Sequence, residues 1–388
     1  MITVNDYIKN KYGTKMYKIC FSAGMSCPNR DGLIDNKGCI FCSAGGSGEY
    51  SVDITECINA AFIDEDALNE KINAAKDKVK NKFKGDKYIA YFQAFTNTYA
   101  PVDYLKKVFM SVINHKDIAI LSIGTRPDCI SDDVYELLKE LNKIKPVWVE
   151  LGFQTCKEES VKYIRRGYEN HVYSEAVKRL KAIGIHVITH VILYLPNETV
   201  NDMLDTIKYV VDAKSDGIKL SELYILKNTD LVKDIEKIYI PTLDEYINTL
   251  KECIALLPEN MVVHRLNGDP PKRLLIAPLW AADKKNVINS INEELFFKKP
   301  YYVYILECDD GTFYTGYSDD VLKRFDNHVN NKGAKYTKAH KAVKILYVRE
   351  FKSKSKAMKH EYEVKRLSKD KKIKLLDDVE NIASKFIL

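Results

Sequence analysis

The 388-residue chain has no apolar run approaching the roughly 20 residues that cross a bilayer, and no basic stretch leads into an apolar one after Met1-Ile2-Thr3-Val4. A membrane span and a secretory leader are therefore not expected, and a cytoplasmic location is. There is no internal repeat and no low-complexity tract. Excess charge is also missing from most of the chain: residues 1–299 hold 41 Lys and Arg against 41 Asp and Glu. Any nucleic-acid footprint there has to be a local patch. The net charge of +6 lies entirely in residues 300–388, with 19 basic against 13 acidic residues, which favours a nucleic-acid partner for that segment over a merely solvated lysine surface.

Nine cysteines without a leader do not suggest a disulfide scaffold. Cys20, Cys57, Cys129, Cys156, Cys253 and Cys308 stand singly and read as small buried hydrophobes. Cys27, Cys39 and Cys42 instead share one Gly-containing loop, Cys27-Pro28-Asn29-Arg30-Asp31-Gly32 followed by Gly38-Cys39-Ile40-Phe41-Cys42.

Apolar periodicity predicts strands at Tyr17–Phe21, Tyr88–Ala94, Ile118–Gly124, Trp148–Gln154, His186–Leu193 and Ile218–Ile225. Helical spacing falls between them at 65–82, 102–113, 131–144, 158–164 with 174–183, and 200–213. Six alternations imply an α/β chain with a parallel sheet and helices outside, either a partial barrel or a doubly wound sheet. A helix at Leu243–Leu256 and a strand-like Met261–Arg265 follow. The polar stretch 281–299, ending Lys298-Lys299-Pro300, marks a junction, and the domains expected are 1–297 (core about 15–260) and 299–388. A hairpin then pairs Tyr301–Glu307 with Thr312–Thr315 through Asp309-Asp310-Gly311.

The three thiols converge at the C-terminal end of the first strand, the end at which βα barrels carry catalysis. A closed zinc site wants four ligands, whereas three leave one iron of a 4Fe-4S cluster open; no His or fourth Cys follows at zinc-finger spacing, and Cys20 lies within a strand. The loop resembles the cluster loop of radical S-adenosylmethionine (radical SAM) proteins, in a variant with eleven residues between the first two cysteines. Residues 1 to about 297 are similar to the YhcC/YtqA (MnmL-like) group, related to elongator-type radical SAM enzymes. The segments that carry the likeness, after the loop itself, are Tyr91–Pro101, Gly124–Asp128, Glu150–Thr155, Arg165-Arg166-Gly167 and His264–Asp269. That resemblance implies a partial (β/α)6 barrel, a 4Fe-4S cluster on Cys27, Cys39 and Cys42, and S-adenosylmethionine cleaved by an electron from a donor such as flavodoxin or ferredoxin. Gln93, Arg126, Glu150, Gln154 and, for the carboxylate, Arg166 are the expected cofactor-binding residues; for Arg126 and Glu150 the plainer reading is an ion pair with each other. Two stretches depart from the group: Tyr194-Leu195-Pro196-Asn197-Glu198 stands where relatives tend to carry Gly-Leu-Pro-Gly-Glu, and 221–230 lacks His, Gly and Pro expected there. Both fall on the substrate side. The group is implicated in remodelling the side chain at carbon 5 of wobble uridine in tRNA, so tRNA is the implied substrate, with a small molecule or peptide as the alternative.

Residues 301–376 resemble the GIY-YIG superfamily, nearest its small YhbQ-like members, which implies a small α+β domain. The signature residues are Tyr302-Val303-Tyr304, Tyr314-Thr315-Gly316, Arg324, His328 one helical turn later, and Glu361. The likeness implies one-metal phosphodiester hydrolysis, with Glu361 holding Mg2+, Tyr304 or Tyr314 helping to deprotonate water, Arg324 stabilising phosphate charge and His328 shuttling a proton. Asn381 is a weak match to a late Asn of some nucleases. An active nuclease and a binding module remain alternatives, and Lys332, Lys335, Lys338, Lys341 and Lys344 with Tyr336 serve either. The whole chain reads as a radical SAM enzyme acting on tRNA, or alternatively as a nuclease on a cluster-bearing regulatory scaffold.

Overall fold

The computed structural model describes residues 1–388 apart from 47, 49, 59–62, 297, 298, 331, 387 and 388. The predicted junction residue Lys298 therefore lies outside the described residues. The chain divides into two compact units, Met1–Val287 and Ile288–Leu388.

The first unit is built on β1 (Ile2–Thr3), β2 (Tyr17–Ser22), β3 (Val52–Asp53), β4 (Tyr88–Phe92), β5 (Ile118–Thr125), β6 (Val147–Gln154), β7 (His186–Leu193), β8 (Gly217–Glu222), β9 (Ile225–Leu226), β10 (Val262–Arg265) and β11 (Leu275–Ala277). Nine of these form one curled sheet in the order β1-β10-β8-β7-β6-β5-β4-β2-β3, and every neighbouring pair is parallel. The six predicted strands are all present, but the sheet is wider. Met261–Arg265 joins it as β10, while β1 and β3 are two residues each and too short to show a period. The last predicted strand, 218–225, stops at Glu222; Ile225–Leu226 turns away to pair antiparallel with β11.

Helices α1 (Val4–Tyr12), α2 (Glu65–Asp77), α3 (Val102–Ile113), α4 (Asp132–Ile144), α5 (Glu158–Tyr163), α6 (Asn170–Ala182), α7 (Val200–Asp212) and α8 (Leu243–Ala255) complete the crossovers and the C-terminal part, and the division between the units falls within α9 (Lys284–Leu295). Each crossover buries a stripe; in α4 it is Val134, Tyr135, Leu137, Leu138 and Leu141, the three-to-four spacing of one helix face. As a strand inside a parallel sheet covered by crossover helices, β4 is buried along its whole length. Trp148, at the start of β6, packs with Ile8, Met16, Ile89, Ile120 and Ile188. Thr199 with Asp202 and Thr242 with Glu245 form capping boxes that fix the starts of α7 and α8, each worth about 1 kcal/mol. No helix among the described residues is long and apolar enough to cross a membrane.

The second unit is α+β. The predicted hairpin is present as β12 (Tyr301–Cys308) and β13 (Phe313–Ser318), and β14 (Ala342–Phe351) adds to its other side in the order β13-β12-β14, all antiparallel. Alternation along β12 sends Tyr304 and Leu306 to one face, against Val321 and Val348, and Ile305 to the other, against Tyr347 and Val364. The first of these faces is covered by α10 (Val321–Val329), after which come α11 (Lys335–Ala339), α12 (Lys354–Lys365) and α13 (Lys369–Lys374).

Candidate functional sites

The cysteine loop leaves β2 and is pinned from within. Asn29, fully buried, donates through Nδ2 to the Arg165 carbonyl at 2.6 Å and to Cys39 Sγ at 3.5 Å, while its own carbonyl accepts from Gly38 at 2.6 Å. Arg30 turns back to donate to the carbonyls of Cys42 (3.0 Å) and Ser43 (2.6 Å), with its guanidinium 5.5 Å from the centre of the Phe95 ring. Gly167 has φ of +81°, and a Cβ there would sit 2.8 Å from Asn29 Oδ1, so only glycine lets the α5–α6 turn close on the loop. Cys27, Cys39 and Cys42 all line a cavity of about 710 Å3 inside the sheet. Burial, and then the neighbouring Cys42, push the Cys39 thiol up to about 11, a crowding of thiols that iron would relieve by holding them as thiolates. Among the described residues no three His, Cys, Asp or Glu side chains close on a single-ion site; a cubane asks for less, since each of three irons takes one cysteine. The donor set thus fits a cluster with one open iron.

Gln93, Arg126, Glu150, Gln154 and Arg166 all line the same cavity, but three of them have partners that sequence reasoning did not supply. Arg126 does not pair with Glu150. It makes a two-pronged ion pair with Asp128, Nε to Oδ1 at 2.9 Å and Nη2 to Oδ2 at 2.7 Å, beside the Tyr168 ring. Arg166, 1% exposed, directs Nε, Nη1 and Nη2 to the carbonyls of Phe153, Thr155 and Tyr168 and to Asn170 Oδ1. With five hydrogen bonds made, its guanidinium has no N–H left for a carboxylate; it clamps the end of β6 to the α5–α6 turn. Glu150, also 1% exposed, accepts from Ser122 at 2.7 Å and His190 at 2.8 Å and forms ion pairs with both Lys18 and Lys219. Burial alone would raise its pKa; the two lysines and the His190 hydrogen bond override it and hold the carboxyl well below the ordinary range. Gln154 sits at a bulge at the end of β6 with φ of +66°, a left-handed conformation that a non-glycine residue holds at a cost of about 1–3 kcal/mol. That strain aims the end of β6 into the cavity.

In the second unit the structure gathers the five predicted residues around the Tyr304 hydroxyl. Tyr304 is 1% exposed and its hydroxyl lies 3.1 Å from His328 Nε2. Burial, and then Tyr314, raise its pKa, while Arg324 lowers it and Glu361 adds to the rise. His328 is fully buried, and burial with Arg324 draws its pKa down to about 4, so the ring is neutral near pH 7. Thr337 fixes the tautomer. Its hydroxyl donates to the Ala334 carbonyl at 3.1 Å and accepts from His328 Nδ1–H at 2.5 Å, leaving Nε2 as the lone pair that receives the Tyr304 proton. Gly316 makes room for this: a Cβ would stand 2.5 Å from the Tyr304 oxygen. Tyr314 packs its ring 4.8 Å from that of His328, and Glu361 accepts from Lys365 at 2.8 Å. Lys332, Lys335, Lys338, Lys341 and Lys344 are all exposed. Tyr336 connects them to the site by stacking on Tyr314 at 6.3 Å. Asn381 is structural: its side chain accepts from Val348 and Ala383 N–H, each at 3.0 Å, and donates to the Leu346 and Leu376 carbonyls.

Sequence reasoning missed Lys18, His190, Lys219 and Arg265 in the first unit and Thr337 in the second. The lysines left a faint signal, being charges inside apolar strands; Thr337 left none.

Residues 36–210 match the radical SAM superfamily, 215–296 the radical SAM C-terminal domain and 300–374 the GIY-YIG catalytic domain. The protein YtqA of Bacillus subtilis is 41% identical over 295 residues, spanning 76% of this chain and 88% of YtqA. A UPF0213 protein of Staphylococcus saprophyticus is 47% identical over 78 residues, 20% of this chain and 95% of that protein. Among solved structures, an archaeal Elp3 from Methanocaldococcus infernus aligns over 86% of this chain and 78% of its own, at 14% identity and a TM-score of 0.49.

Proposed function

Because this chain belongs to the radical SAM superfamily, in the family of YtqA, and carries a GIY-YIG domain behind it, we propose that it is a radical SAM enzyme remodelling the wobble-uridine side chain of tRNA. The observation that carries the reading is one cavity lined both by Cys27, Cys39 and Cys42 and by Gln93, Arg126 and Gln154. The cysteines would hold a 4Fe-4S cluster and the three polar residues would orient S-adenosylmethionine; when bound, these groups supply a carbon-centred radical able to take a hydrogen atom from substrate. The chain's own part is to keep water out, through the apolar packing around the loop, and to present substrate from the barrel interior. Glu150 and Arg166 serve as internal supports of the barrel. Reduced flavodoxin or ferredoxin is the class of electron donor this chemistry needs.

The basic face of the second unit holds the nucleic acid. The lysines supply phosphate contacts and Tyr336 a stacking surface, which give affinity without sequence choice. A second reading, Mg2+-dependent phosphodiester cleavage, is favoured by the relay from Tyr304 through His328 to Thr337, with Arg324 and Glu361 beside it. In that reaction the neutral His328 would accept the Tyr304 hydroxyl hydrogen bond and so hold the Tyr304 oxygen where it can orient the attacking water.

The test has two readouts. Reconstituted protein given S-adenosylmethionine and a reductant should release 5'-deoxyadenosine, and tRNA from cells lacking the gene should show a changed wobble-uridine nucleoside. Product without any change in tRNA nucleosides would move the substrate to the small-molecule or peptide class. Nicking of nucleic acid that requires Mg2+ and disappears in Glu361→Ala would establish the second reading.

A further inference from the structure

Deep in the barrel, cations outnumber anions. His190, Lys219 and Arg265 stand in register across β7, β8 and β10. Lys18 reaches in from β2, and the ammonium groups of Lys18 and Lys219 lie 4.5 and 4.6 Å from the centre of the Tyr91 ring. Glu150 is shared by both lysines and by His190. Arg265 has no ion pair among the described residues, and its Nε is buried without a hydrogen-bond partner, which is rare for so strong a donor. The other carboxyl at hand, Glu222, accepts from Gly268 N–H at 2.8 Å through one oxygen, and its second oxygen is likewise buried and unpartnered. Counted with Lys219 protonated and Glu222 ionised, Lys18, Lys219 and Arg265 exceed Glu150 and Glu222 by one positive charge, and His190 faces them as a neutral ring, its pKa drawn down to about 4 by burial and Lys219.

We propose that this cationic floor is a receptor for an oxyanion of the substrate, a carboxylate or a phosphate, whose oxygens accept from Arg265 with Lys18 alongside and the buried Lys219 adding its charge from behind. Lys18, His190 and Arg265 line the cavity that Cys27, Cys39 and Cys42 also line, with Lys219 buried behind them, so a guest anchored there by its anion shares one space with the cysteines. Burial, Lys18 and Arg265 all destabilise the Lys219 ammonium and Glu150 only partly offsets them, a deficit that a bound anion removes. That the guest is the substrate, and not S-adenosylmethionine, rests on the radical SAM reading, in which the amino-acid end of that cofactor is engaged at the open iron.

The test titrates the full-length, anaerobically reconstituted protein, saturated with S-adenosylmethionine, with sodium acetate in one arm and inorganic phosphate in another, at constant ionic strength, and follows Tm. The receptor predicts a saturable rise in Tm. Arg265→Gln should weaken the apparent affinity at least tenfold without lowering Tm in the absence of anion, and Arg265→Lys should restore part of the response. A stronger response to acetate identifies a carboxylate guest, and a stronger one to phosphate a phosphoryl guest. Two outcomes overturn the proposal: no saturable shift with either anion, or an Arg265→Gln titration that matches wild type. An Arg265→Gln variant that is less stable without anion, yet responds as wild type does, assigns Arg265 to a structural pair with Glu222 and also overturns it. The same preparations are assayed for 5'-deoxyadenosine. Product without an anion response overturns the receptor and leaves the enzyme reading standing; an anion response without product does the reverse.

Discussion

Asn29 holds Cys39 by its sulfur: the side-chain amide that donates to the Arg165 carbonyl at 2.6 Å also reaches Cys39 Sγ at 3.5 Å. One buried residue thereby ties the cysteine loop to the α5–α6 turn. Asn29→Ala leaves the Arg165 carbonyl without this partner and should cost about 1–3 kcal/mol of stability. The more specific outcome is poorer iron retention after reconstitution, read as iron per chain against wild type. Retention equal to wild type would show that the loop is held without it.

Much of this was legible in the sequence. The strands from Tyr17, Ile118 and His186 were visible because a parallel sheet buried on both faces selects near-continuous apolar runs. The cysteines and the Tyr304, Tyr314, Arg324, His328 and Glu361 set were visible because their chemistry needs fixed residue types at fixed spacings. The partners of Glu150 were not. Lys18 and Lys219 are separated from it by 132 and 69 residues and meet it only through the curl of the sheet. Arg126 took a carboxylate two residues away, a local pairing that pre-empts any long-range one. β14 was hidden because its exposed Lys344 read as part of a basic patch with the lysines before it.

Glu150→Gln should be among the most damaging single changes in the first unit, since it leaves the buried Lys219 beside the partly exposed Lys18 without a counter-charge. The expected loss is about 3–5 kcal/mol by chemical denaturation at pH 7. The carboxyl's folded pKa lies below its ordinary 4.5. Its contribution is therefore fully present above pH 4.5 and is lost as pH falls through the folded value. A wild-type stability that did not fall below pH 4.5 faster than that of Glu150→Gln would contradict this pairing.

His328 should titrate near pH 4 in histidine ring NMR spectra of the full chain, against 6.5 for a solvated ring. A folded value below the unfolded one means that its stabilising effect is complete above pH 6.5 and declines as pH falls toward 4. Thr337→Val removes the acceptor that fixes the Nδ1–H tautomer. If the second unit cleaves nucleic acid, kcat should fall by up to about 100-fold with little change in KM, the scale expected when a group that positions the attacking water is misplaced. An unshifted His328 signal in Thr337→Val would place the threonine outside the relay.

Nucleic-acid affinity should fall steeply with salt. Replacing Lys335, Lys338 and Lys341 together by Ala should reduce the slope of log K against log salt by roughly one unit per lysine, uniformly across sequences. An unchanged slope would place the binding face elsewhere.

The most direct test is elemental. Anaerobically reconstituted wild-type protein should contain roughly four iron and four sulfide per chain and turn S-adenosylmethionine into 5'-deoxyadenosine on reduction, and Cys42→Ala should lose both the cluster and the product. Stoichiometric zinc without sulfide, or undiminished product from Cys42→Ala, would contradict the assignment of Cys27, Cys39 and Cys42 to a radical-generating cluster.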